Sequence, residues 1–134
     1  VLASSRSELR LTGRRILERD GERMVLGFLG WCRRGQTLRD SRGKLIAVAL
    51  PARGGGYRVS VGRGERLWIG RRRESFFRWP MVVERKGAVV VRFDGSTVNE
   101  LGSSLPVPVL AFLVHLHKVM CDAEAAAAAV VAVC

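Results

Sequence analysis

The sequence is poor in the groups from which catalytic and metal sites are built. Its 134 residues hold two histidines, three cysteines and twelve acids. No Ser-His-Asp order has nucleophile-elbow spacing, and Gly54-Gly55-Gly56 is not followed by the Lys-Ser/Thr of a phosphate loop. The glycines of GRGERLWIG (62–70) open a strand rather than a helix, and the scattered acids form no legible pair. The expectation is a protein that is not an enzyme and that needs no cofactor and no metal. Cys32, Cys121 and Cys134 make no CxxC pair and no even framework, so idle or buried thiols in a reducing setting are expected, cytoplasmic or on the cytoplasmic face of a membrane. No charged n-region followed by an apolar h-region opens the chain, so no secretory signal is visible.

What the chain does have is arginine. Lysine and arginine together number 23, only three of them lysines, and the formal net charge is +11. Arginine forms bidentate contacts with phosphate and carboxylate, so an anionic partner is expected: nucleic acid, an anionic membrane surface or an acidic protein. Apolar residues at 48% and charged residues at 26% place the chain among globular domains rather than disordered ones.

Three segments resemble one another: ILERDGERMVL (16–26), TLRDSRGKLIAVAL (37–50) and MVVERKGAVVVRF (81–93). Each runs from an apolar start through charged residues and a glycine into a second apolar-rich stretch. A looser copy is YRVSVGRGERLWIG (57–70), turning at Gly62-Arg63-Gly64. Asp20-Gly21 and Lys86-Gly87 suit two-residue hairpin turns, and Ser41-Arg42-Gly43 suits a three-residue loop. The glycines at 21, 43, 64 and 87 are spaced by 22, 21 and 23 residues, the step of a hairpin meander. Period-two alternation at 8–11 and 57–61 predicts strands with one dry face. The expected fold is mainly β with one long helix: an antiparallel meander or barrel of about eight or nine short strands.

The helix is the C-terminal run. Residues 107–120 are apolar almost all round, broken only by His115, His117 and Lys118. Ser103 or Ser104 suits its cap, and Pro106 and Pro108 suit its first turn. A helix hydrophobic on every face is buried on every face, in a bilayer or inside a protein. About 21 Å of helix falls short of the roughly 30 Å hydrocarbon core. Extending it would place Lys118, Asp122 and Glu124 in lipid. A helix plugged into a curled sheet is therefore favoured over a transmembrane span or packing on an open sheet. The domain would occupy 1–122, with the central helix at about 107–121 and an Ala/Val-rich helical extension or tail at 123–134.

The four repeated hairpins closing on the helix that opens Leu105-Pro106-Val107-Pro108 resemble the tubby-like superfamily, including the LURP-one-related proteins and the phospholipid scramblases. The likeness is architectural and carries no short motif, and the family's barrel has more strands than can be counted here. It implies a non-enzymatic domain that in some members binds anionic phospholipid headgroups. No lipid-contacting residue is carried over to this chain.

The sharpest local feature is GRRRESFFRW (70–79). Arg71, Arg72, Arg73 and Arg78 set positive charge beside Phe76, Phe77 and Trp79, which suits phosphates together with a stacked base or a headgroup layer. The plainer reading is a solvated loop with its aromatics turned into the core. Arg14, Arg15, Arg33 and Arg34 near other turns would join the same patch if the fold brings those ends together; ordinary surface is the plainer reading. Trp31 suits the core or the barrel rim. His115 and His117 lie about 200° apart around a helix and cannot grip one metal. His117 and Cys121 share a face but lack further ligands for zinc, which reads as core or rim histidine. The expected function is binding of an anionic phospholipid surface or an acidic protein. The alternatives are nucleic-acid binding by a basic β-barrel and a structural role as an accessory subunit.

Overall fold

The computed structural model of the chain describes residues 2–3, 8–12, 16–19, 22–29, 35–62, 64–94, 97–102 and 105–133. Eleven strands follow in order: β1 Leu2–Ala3, β2 Glu8–Thr12, β3 Ile16–Arg19, β4 Glu22–Leu29, β5 Gly35–Arg39, β6 Leu45–Pro51, β7 Tyr57–Val61, β8 Glu65–Arg71, β9 Met81–Arg85, β10 Ala88–Asp94 and β11 Thr97–Glu100. Every strand pairs antiparallel with its sequence neighbours, so spatial order equals chain order. The four recurring segments are the hairpins β3–β4, β5–β6, β7–β8 and β9–β10. The two-residue β1 and the four-residue β11 raise the count above what alternation reveals, because such short strands carry no readable period. Among the described residues no pairing joins β11 to β1, so the meander is barrel-like but not closed.

The turns follow their chemistry. Arg85 faces Ala88 across Lys86-Gly87, and both turn residues have positive φ (52° and 81°), as a hairpin with right-handed strand twist requires. At 40–44 the Asp40 carboxylate accepts the amides of Arg42 and Lys44, both at 2.9 Å, and Gly43 takes the left-handed position. Arg19 faces Glu22, the register of a two-residue turn; Asp20 and Gly21 themselves lie outside the described residues. Gly56 has a different reason to be glycine. A Cβ there would sit 2.2 Å from the Ile69 carbonyl oxygen, so only a bare backbone lets the β6–β7 loop lie against β8.

Helix α1 spans Val107–Val133 without a break, so the alanine tract extends the helix rather than trailing from it. Ser103 and Ser104, the expected caps, lie outside the described residues; the Leu110 amide closes the first turn onto Pro106 O at 3.0 Å. The five consecutive residues Val109, Leu110, Ala111, Phe112 and Leu113 are all 0–2% exposed. Five residues exceed one helical turn, so this segment is covered in every direction. The covering comes from inward side chains of Met24, Leu26, Leu38, Val59, Leu67, Ile69, Met81, Val83, Val91 and Phe93, contributed by β4, β5 and β7–β10. On β6 the inward residues are Ala47 and Ala49, whose small side chains admit the helix where its backbone approaches β6 and β8 closely. Beyond Leu116 the helix emerges, and residues 122–128 are exposed.

Replacing Phe112 with alanine should cost about 3–5 kcal/mol, because the wall around it cannot collapse into the hole. Replacing Ala126 with glutamate on the emergent half should change stability by less than about 0.5 kcal/mol. Denaturant unfolding of the two variants checks both. Similar losses for the two would mean that the emergent half is as buried as the plug.

Candidate functional site

The β8–β9 connection is built as a small second hairpin. Pro80 has no amide, so the regular ladder cannot continue through it, but its carbonyl accepts the Arg72 amide at 3.1 Å. Further out, Glu74 N–H donates to Arg78 O at 2.9 Å, and Ser75 and Arg78 form an isolated bridge. Phe76 and Phe77 are thus left alone at a two-residue tip. They are 73% and 90% exposed, and Trp79 is 50% exposed. The plainer expectation, that these aromatics turn into the core, does not hold, since all three side chains are exposed.

The tip is ordered by its own contacts. The two phenyl rings meet edge to face with centroids 5.0 Å apart. The Arg73 guanidinium carbon lies 5.3 Å from the Phe76 centroid and 5.8 Å from that of Trp79. Its neighbours are committed elsewhere. Arg71 Nε donates to both carboxylate oxygens of Glu124 on α1 at 3.0 and 3.1 Å, and Arg71 Nη1 donates to Trp79 O at 2.6 Å. Arg72 Nη1 donates to Glu84 Oε1 at 2.6 Å. Arg92 on β10 joins Glu74 at 3.0 Å and Asp94 at 2.9 Å, and these bonds hold both carboxyls below their ordinary pKa. Among the described residues neither Arg73 nor Arg78 is ion-paired, so these two form the available positive collar of the tip. Beside the loop lies a cleft of about 240 Å³ lined by the apolar Pro80, Val82, Val89 and Leu101 and by the charged Arg72, Arg73, Glu74 and Arg92.

Arg14, Arg15, Arg33, Arg34 and Trp31 lie outside the described residues, so the expected joining of the basic clusters has no counterpart here. Arg92, the anchor of the loop, carried no signal in the sequence, since one arginine at an outward strand position looks like any other. Gln36 was equally silent. It is buried on β5, and its Oε1 accepts a hydrogen bond at 3.0 Å from His115 Nε2, which places the ring proton there. His117 stacks on Phe93 with centroids 4.4 Å apart and planes 5° apart. Its Nε2 lies 3.4 Å from Cys121 Sγ. Burial raises the pKa of that thiol and lowers that of His117, the opposite of what a thiolate–imidazolium nucleophile requires. Among the described residues no three His, Cys, Asp or Glu side chains gather as metal ligands.

No family model, curated protein or solved structure matches this chain.

Both histidines sit below their ordinary pKa of 6.5, His115 through burial and then Lys118, His117 through burial and then Arg71. The unfolded chain therefore takes up these protons more readily than the folded one. Stability from this source is complete above pH 6.5 and is lost as pH falls through the lowered folded values. The share of Glu74 and Asp94 is lost only further down, below 4.5 and 3.8. Thermal melts between about pH 7.5 and 5 should show a declining midpoint, and His115→Gln should reduce that decline. An identical pH profile in the variant would contradict the assignment.

Proposed function

We propose that this domain binds anionic phospholipid surfaces through the 71–80 loop. Phe76 and Phe77 enter the boundary between headgroups and acyl chains, while Arg73 and Arg78 meet the headgroup phosphates. The observation that carries this reading is the near-complete exposure of two adjacent phenylalanines at the tip of a braced hairpin. Water penalises two such rings; a membrane interface accepts them, and a basic collar adds attraction to anionic lipid.

The brace supports the same reading. A loop that inserts must hold its tip outward, and the Arg71–Glu124, Arg72–Glu84 and Arg92–Glu74 pairs tie its base to α1, β9 and β10. The adjoining cleft, lined by apolar side chains and by Arg73, suits a headgroup with the start of its chains. The architectural likeness to tubby-like proteins points to the same ligand class. Among the described residues no helix is long and apolar enough to cross a membrane. On this reading the domain acts at the cytoplasmic face.

Co-sedimentation with phosphatidylserine-containing and with neutral vesicles at near-physiological salt tests the proposal. The wild type should sediment with the anionic vesicles. Phe76→Ser and Phe77→Ser should each weaken binding about tenfold, since partial burial of a phenyl ring is worth about 1.5 kcal/mol. Arg73→Gln with Arg78→Gln should weaken it and flatten its salt dependence, each charge being worth about 1 kcal/mol. Equal sedimentation of the double serine variant and the wild type would refute the proposal. Recovery with an acidic protein in place of vesicles would favour the other anionic partner class.

A further inference from the structure

The outer face of the sheet carries a second, separate feature. Arg58 on β7, Trp68 on β8 and Glu84 on β9 are direct cross-strand neighbours in one row. They point away from α1, because Val59, Leu67, Ile69 and Val83, which alternate with them, point into the core. A Cβ at Gly70 would fall 2.4 Å from Cζ2 and 2.7 Å from Cη2 of Trp68, so the indole leans along β8 over the buried backbone of Gly70. The residue remains partly exposed to solvent.

Around this ring runs an open groove of about 400 Å³. Exposed Arg58 flanks it beside the ring, Arg66 two residues before Trp68, and Lys86 two residues after Glu84. Among the described residues none of these three cations is ion-paired. The groove's single acid, Glu84, is taken by Arg72. The groove thus combines an aromatic side chain in its lining with cations that are not ion-paired among the described residues.

We propose that this groove binds single-stranded nucleic acid, one base stacking on Trp68 and the flanking phosphates meeting Arg58, Arg66 and Lys86. A half-buried ring on the face of a sheet cannot wedge into a bilayer as the exposed loop tip can, so a lipid surface fits poorly. An acidic peptide would satisfy the cations and leave the indole without a partner. A duplex keeps its bases stacked on one another, whereas an unpaired base presents a free face. This site is independent of the loop-tip reading.

Anisotropy of a fluorescein-labelled oligothymidylate of about twelve nucleotides, within the range that a β-barrel site occupies, tests the proposal. Trp68→Ala should weaken binding about tenfold. Arg58→Gln with Arg66→Gln should weaken it and lower the slope of log affinity against log salt by about 1.4. Phe76→Ser with Phe77→Ser should leave oligonucleotide affinity unchanged while losing vesicles, which separates the two sites. A duplex of equal length should bind more weakly and ignore Trp68→Ala. Should Trp68→Ala fail to melt cooperatively, the exposed arginine pair decides. Wild-type affinity in the arginine variant, or in a folded Trp68→Ala, overturns the proposal. So does loss of binding through the phenylalanines alone, which would place the strand on the loop. A dimer that Trp68→Ala dissociates, with no oligonucleotide bound, would assign the face to a second copy and also overturn it.

Discussion

The packing of α1 against the inward face of β4–β10 is the constraint from which the rest descends. A helix buried on every side through Val109–Leu113 needs a wall that curves around it, and a right-twisted antiparallel meander supplies one. Each buried leucine, valine or phenylalanine of that segment is worth about 1.5–3 kcal/mol, so the plug and its wall supply a large part of the domain's stability. The described interior is occupied by this helix, and both proposed contacts lie on the outside, one on a loop and one on the outward positions of the strands.

On that outside, some of the described arginines are ion-paired and others are not. Arg71, Arg72, Arg85 and Arg92 are matched to Glu124, Glu84, Glu65 and Glu74, and three of these pairs brace the β8–β9 loop. Exposed pairs contribute little to stability, so their value lies in fixing the direction of a loop that makes few other contacts. Arg73 and Arg78 at the tip, and Arg58, Arg66 and Lys86 on the sheet, have no such partner among the described residues. At both places unpaired positive charge lies beside an aromatic side chain, while Arg42, Lys44, Arg53 and Lys118 are exposed elsewhere on the surface.

The hairpins were legible because their physics is local. A glycine after aspartate or lysine, between alternating strands, has few conformations open to it, and Lys86-Gly87 folds as that chemistry demands. The burial of α1 was legible because an all-apolar face count needs no knowledge of neighbours. The tip of the β8–β9 loop was legible only as composition: SFFRW states that aromatics and cations are close, not which way they face. Their outward direction is set by contacts from outside the loop, among them Arg92, eighteen residues from Glu74, holding the loop from the next hairpin. The pairing of His115 with Gln36, 79 residues away, had no sequence signal, because a lone glutamine in a strand has no pattern to break.

By itself, then, the chain's order of residues determined strand, turn and helix, since each follows from backbone preferences and hydrophobic period over a few neighbours. It determined too that the helix must be enclosed. Only the tertiary structure decided which of the described arginines are paired with glutamates, and that Trp68 leans over Gly70 while Phe76 and Phe77 stand in water. Those outcomes depend on distances between strands far apart in sequence, and a charge or a ring acquires its role from what the fold brings beside it.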